Sequence, residues 1–232
     1  MLNLSVLSNV PYYAFLNSFY STSLLAIVTS YTIDIASFAV PFYLLRPLSP
    51  AHAGILYPKT LSQALARDTP IRFYASLFAA TIYSLAVYSS FYTWLPVYLI
   101  THFDSIATLE HAHNATYPFL ILSFLPIGYC AESFLFASSV ASSATYPATT
   151  PFDARSATFV ETVKHNFGLG GTREQVLAKR TAYLALFTAA NTMARVWGTI
   201  EGADPYGAAA WAGIFTVAAL STGVAFDWIG DV

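Results

Sequence analysis

The chain has 232 residues, 56% of them hydrophobic and only 9% charged, with mean hydropathy +0.55 and net charge −2. A soluble domain carries about 25% charged residues, so these few cannot cover a water-facing surface. The composition points to one polytopic membrane domain over residues 1–232 and gives no basis for a nucleic-acid partner, while the lone cysteine, Cys130, excludes an internal disulfide.

No Lys or Arg precedes Arg46. Secretory leaders need a basic start and mitochondrial leaders several arginines, so the first apolar run is expected to be retained, acting as its own insertion signal. A span needs about 20 mostly apolar residues to cross a core about 30 Å thick. The first such segment is Leu24–Leu45, which contains Asp34. Its start is loosely bounded because residues 1–33 carry no charge: it can begin as early as Ala14, or Pro11–Tyr20 can lie flat as an interfacial helix. Asn3 opens a glycosylation sequon, Asn3-Leu4-Ser5.

The following loop holds Arg46, Lys59, Arg67 and Arg72 among four prolines. Within it TLSQALARD places Leu61 and Leu65 one turn apart, the spacing of a short surface helix. Phe73–Leu95 is the second span, closed by the aromatic run SFYTWLPVY, whose rings suit a membrane interface. Next comes THFDSIATLEHAHNATYP, with His102, Asp104, Glu110, His111 and His113. Those are zinc-ligand types, but His111 and His113 diverge on a helix, so a solvated loop without metal is expected. Asn114 opens a second sequon there.

Phe119–Val140 is the third span and carries Glu132. The second basic loop follows, with Arg155, Lys164, Arg173, Lys179 and Arg180. Phe159, Val160, Val163 and Phe167 recur at helical spacing, so SATFVETVKHNF reads as an amphipathic helix on the bilayer. Gly168, Gly170 and Gly171 break it, and Thr172 with Gln175 forms a capping box that restarts a helix into the fourth span, Ala182–Thr199. The glycine turn lacks phosphate-loop spacing, which leaves an ordinary cap, with Arg173, Lys179 and Arg180 placed for contact with anionic lipid headgroups. Tyr206–Trp228 is the fifth span. Ala209/Gly213 and Ala219/Gly223 there, and Ala190, Ala194 and Gly198 in the fourth, stand at the small-residue spacing that lets helices approach in lipid. The two helices are therefore expected to pack tightly, or the fifth to dock another protein.

Lys and Arg number 0, 4, 0, 5, 0, 0 along the successive tails and loops, with Arg195 inside the fourth span. Positive loops stay cytoplasmic. The alternation predicts five spans, the N-terminus outside or lumenal and the C-terminus cytoplasmic, in an endomembrane or the plasma membrane. The fold class is thus an all-α bundle of about five transmembrane helices with short amphipathic cytoplasmic helices.

Asp34, Glu132, Asn191 and Arg195 lie inside spans, where a charge costs about 2.5–3.5 kcal/mol and so faces inward toward partners. Glu132 is expected to meet Arg195 or to share a network with Asp34, both carboxylates near mid-membrane. No H-E-x-x-H, G-x-S-x-G or P-loop occurs, and no span contains a histidine to activate Cys130. No catalytic residue and no cofactor are expected, which puts a lipid-processing enzyme last among three readings. First is a non-catalytic subunit, scaffold or assembly factor whose partners are the bilayer and other membrane subunits. The alternative is a small carrier or channel lined by Asp34, Glu132 and Arg195.

Overall fold

The computed structural model describes residues 2–45, 68–143, 158–159, 162 and 172–230. Among them there is no strand, only helices and one isolated bridge between Phe103 and Ala203. The helices are α1 (Leu2–Phe19), α2 (Leu24–Leu45), α3 (Thr69–Thr93), α4 (Leu95–His102), α5 (Glu110–Asn114), α6 (Tyr117–Ala131), a π turn (Glu132–Phe136), α7 (Ala137–Ser143), α8 (Thr172–Thr199) and α9 (Pro205–Gly230). Four stretches are long and apolar enough to cross a membrane: α2, α3, Tyr117–Val140 and Pro205–Ile229. The all-α class is as expected. The short surface helix around Leu61 lies outside the described residues, as does the amphipathic one except at residues 158–159 and 162.

Leu2–Phe19 departs from the sequence reading, which placed the first span at Leu24 and offered Pro11–Tyr20 a flat position on the membrane. It is one continuous helix inside the bundle, packed against α2, α6 and α8. Leu4, Leu7, Tyr12, Tyr13, Phe15 and Phe19 are all buried. Its serines and asparagines lower its hydropathy, yet Ser5 and Ser8 are buried, and both Asn9 Nδ2–H, at 2.8 Å, and the Ser8 hydroxyl, at 3.3 Å, donate to the Ser5 carbonyl. A helix enclosed by other helices need not satisfy lipid, so a hydropathy scan passes over it. In α2 the balance is reversed, since Ile27 is its sole buried side chain.

The helices α3 and α6 run antiparallel, as do α8 and α9, and α1 joins the two pairs. An aromatic cluster sits where they meet. Trp211 is 1% exposed, lies 5.1 Å from Phe15 and 5.6 Å from Phe19 between ring centres, and donates Nε1–H to the Pro11 carbonyl at 2.8 Å. Aromatic pairs at such spacings add about 0.5–1.5 kcal/mol each beyond burial. Pro96 in the first turn of α4 removes an N–H and separates α3 from α4 at Trp94.

The bundle has two distinct ends. At the far end the Phe19 carbonyl accepts the amides of Ala107 and Thr108, and the Ser105 hydroxyl donates to the Glu201 carbonyl at 2.8 Å. At the basic end Arg173, near the start of α8, reaches the last turns of α9. The first turn of α1 lies toward the basic end, about 25 Å from Phe19 at 1.5 Å per residue, and α1 touches the π turn there.

Candidate functional site

Three helices converge on Arg195. Its Nη1 donates to Asp34 Oδ2 of α2 at 2.5 Å and to Asn9 Oδ1 of α1 at 2.8 Å, while Nη2 donates to the Tyr13 hydroxyl at 3.2 Å. Tyr13 in turn donates to Asp34 at 2.6 Å. The guanidinium carbon stands 4.2 Å from the Tyr12 ring centre, a cation–π distance. One turn earlier on α8, Asn191 donates to the Ser8 carbonyl at 2.9 Å and to Asn9 Oδ1 at 3.0 Å. The structure thus brings Asp34, Asn191 and Arg195 together through α1. Sequence reasoning missed Asn9, Tyr12 and Tyr13, although their three- and four-residue steps place them on one helical face.

Glu132 stands apart from that cluster. It is fully buried and meets Arg72, with Nε and Nη2 each donating to a separate carboxylate oxygen at 3.2 Å. The expected partners, Arg195 and Asp34, belong to the other cluster. The reason is helical register: α3 begins at Thr69, not Phe73, so Arg72 is its fourth residue and not a loop residue. Because α3 and α6 run antiparallel, Glu132, just past the last residue of α6, is level with the first turn of α3 and within reach of Arg72. Glu132 also opens the π turn, a local geometry often found at functional positions. Arg180 donates to the Phe134 carbonyl inside that turn at 2.9 Å and covers the Phe134 ring.

The residues assigned to lipid headgroups divide. Arg173 donates to the Phe226 carbonyl at 2.8 Å and Arg180 to Phe134, both inside the protein, whereas Lys179 is exposed. The small-residue faces divide as well. Ala219 and Gly223 are buried, and a side chain on Gly223 would run into Thr181 of α8. Ala190, Ala194 and Gly198 are exposed, as is Ala209, and a Cβ on Gly198 or Gly213 would meet nothing within 4 Å. The helices α8 and α9 pack, but through the α8 row of Leu177, Thr181, Leu184 and Thr188, which turns the alanines outward. The closest glycine contact is elsewhere: a Cβ on Gly128 of α6 would collide with the Ser76 carbonyl and with Ala80 of α3.

At the far end Asp204 caps α9, accepting the Gly207 N–H at 2.6 Å with Pro205 in first helical position. The same carboxylate meets His102 Nδ1 at 2.7 Å and so ties α4 to α9. The Gly207 N–H, and then His102, hold its carboxyl below the usual carboxylate range. Among the described residues no three of His, Cys, Asp and Glu gather as a metal site. Asn3 is half-buried in α1, and Asn114 is exposed at the end of α5, where it donates to Glu110 at 3.3 Å.

A family model described as the Bouquet formation protein 3 C-terminal domain matches residues 68–221, from the start of α3 well into α9. No curated protein and no solved structure matches the chain. The match leaves out α1 and α2, so the Arg195 cluster joins helices from both sides of its boundary.

Proposed function

The chain belongs to the Bouquet formation protein 3 C-terminal domain family, and from that premise we propose that it is a non-catalytic subunit or scaffold of a membrane assembly, crossing the bilayer several times. The family name refers to the formation of a structure and mentions no reaction. One observation carries the reading. Among the described residues all four arginines, Arg72, Arg173, Arg180 and Arg195, donate to an acceptor on another helical element. A transport path needs charged groups that can release one partner for a passing solute. Here each of these arginines joins two helical elements, and the tyrosine and asparagine hydrogen bonds around Arg195 are taken up within the protein. These groups act as cross-links that fix the helix arrangement a partner meets.

Affinity purification in mild detergent tests this. The expected result is a second membrane protein in constant ratio to this one, with both falling together in an Arg195→Leu variant. A single clean chain overturns the proposal if Glu132→Gln also leaves its abundance unchanged and abolishes solute flux in reconstituted vesicles. That outcome supports a carrier.

A further inference from the structure

Between α1, α2 and α6 lies a cavity of about 590 Å³, with α5 at its mouth. Its walls are carbon: Val10 and Ala14 from α1, Ile27 and Val28 from α2, Phe124 and Ile127 from α6. Tyr13 and Tyr31 also line it, but both hydroxyls are engaged, one with Asp34 at 2.6 Å and the other with the Val6 carbonyl at 3.3 Å. Polar groups gather at the far end instead, where Asn17, Ser18, Glu110, His111 and Asn114 form the rim and Asn114 donates to one Glu110 oxygen at 3.3 Å. The cavity is therefore amphipathic along its length.

Size narrows the occupant. One turn of a helix 10–12 Å wide and 5.4 Å long fills about 420–610 Å³. The cavity holds roughly one such turn, too little for a partner helix, yet it falls within the range of small-molecule pockets, about 300–1,000 Å³. Charge narrows it further. The far-end connections carry Asp104, Glu110, Glu201 and Asp204 and no Lys or Arg, which disfavours an anionic head at the rim. Access is lateral, because α2 forms one wall while keeping nearly all of its own surface exposed.

We propose that this cavity holds the apolar part of one membrane lipid, a sterol body or a single acyl chain, between α1, α2 and α6. Its polar end, neutral or cationic and able to donate hydrogen bonds, sits at Glu110 and Asn114. A sterol hydroxyl and an ethanolamine headgroup share that chemistry. The full chain, reconstituted in phosphatidylcholine vesicles, is photolabelled separately with a sterol, a phosphatidylethanolamine and a phosphatidylserine probe, each reactive in its apolar part. The labelled peptides are then mapped. Label from the sterol or the ethanolamine probe is expected on α1, α2 and α6, several-fold above the serine probe, and the stronger arm names the source. Val28→Trp and Ser123→Trp, two exposed positions on the lining, fill the space and remove most of that label. Val224→Trp, on the exposed face of α9, leaves it intact. Glu110→Lys shifts the preference toward the serine probe. Melting curves identify any tryptophan variant that fails to fold, and the other then carries the test. The proposal is overturned if label spreads equally over α9, if the folded filled variants label like the parent, or if the serine probe dominates. Crosslinking to a polypeptide at these residues in place of lipid overturns it too.

Discussion

Glu132 has no exposed surface, whereas the Arg72 side chain is 30% exposed, and this asymmetry sets the outcome of breaking the pair. An arginine that loses its partner can turn its long side chain toward water. A buried carboxylate has no such exit. Arg72→Leu should therefore cost about 3–5 kcal/mol, the usual scale for removing one member of a buried pair, and Glu132→Gln less. Replacing both, Arg72→Met with Glu132→Leu, removes the stranded charge and should recover most of the loss. Thermal unfolding in detergent ranks the three variants, and a double variant as unstable as Arg72→Leu alone would contradict this account. That Glu132 needs a partner was legible in the sequence, because the cost of a bare charge in lipid follows from residue type. Which partner was not legible. It depends on α3 starting four residues before the apolar run and on the antiparallel register of α3 with α6, both fixed by packing.

Between elements, close approach and capping decide. Gly128→Ala places a methyl group where the backbone of α3 already lies, so α3 and α6 must separate, at about 1–3 kcal/mol for overpacking. Gly213→Ala meets open space and should stabilise by up to about 1 kcal/mol, the helix-propensity difference. Unfolding midpoints moving in opposite directions for the two variants would confirm the assignment. The spacing of small residues showed which ones share a helix face, but not whether that face turns inward, so it marked Ala190, Ala194 and Gly198 and passed over Gly128. The far-end clasp adds a pH dependence. The folded carboxyl of Asp204 titrates below its ordinary value, about 3.9 in unfolded chains, because the Gly207 amide and then His102 favour its charged form. Its contribution is complete above that unfolded value and is lost as pH falls through the lowered folded one. Asp204→Asn should lower the unfolding temperature at neutral pH and shrink the further loss below about pH 4. An equal acid-side loss in both proteins would rule the clasp out as its source.

At the scale of the molecule, the helix count and the charge pattern have to be reconciled. Five spans with alternating basic loops place the two termini on opposite sides. The structure adds α1 as a central helix whose first turn lies toward the basic end, where the last turn of α9 also lies. A helix inserted within the series would move one basic loop to the wrong side, but one added at the front moves nothing except the segment before it. The clusters around Arg46–Arg72 and Arg155–Arg180 keep a common side whether five or six helices cross. The charge pattern therefore carries no signal for α1, and hydropathy failed because the serines and asparagines of α1 lower its average although half of the helix is buried in protein. The six-helix arrangement predicts that a tag before Leu2 and a tag after Gly230 share a side, that of the two basic loops. Selective permeabilisation should make both tags accessible together, with a reporter in the loop around Glu110 protected when they are exposed. Accessibility of the two tags from opposite sides would mean that α1 does not cross. The Asp34–Arg195 pair would then have to form without Asn9 and Tyr13 beside it, and removing either α1 residue would leave stability unchanged.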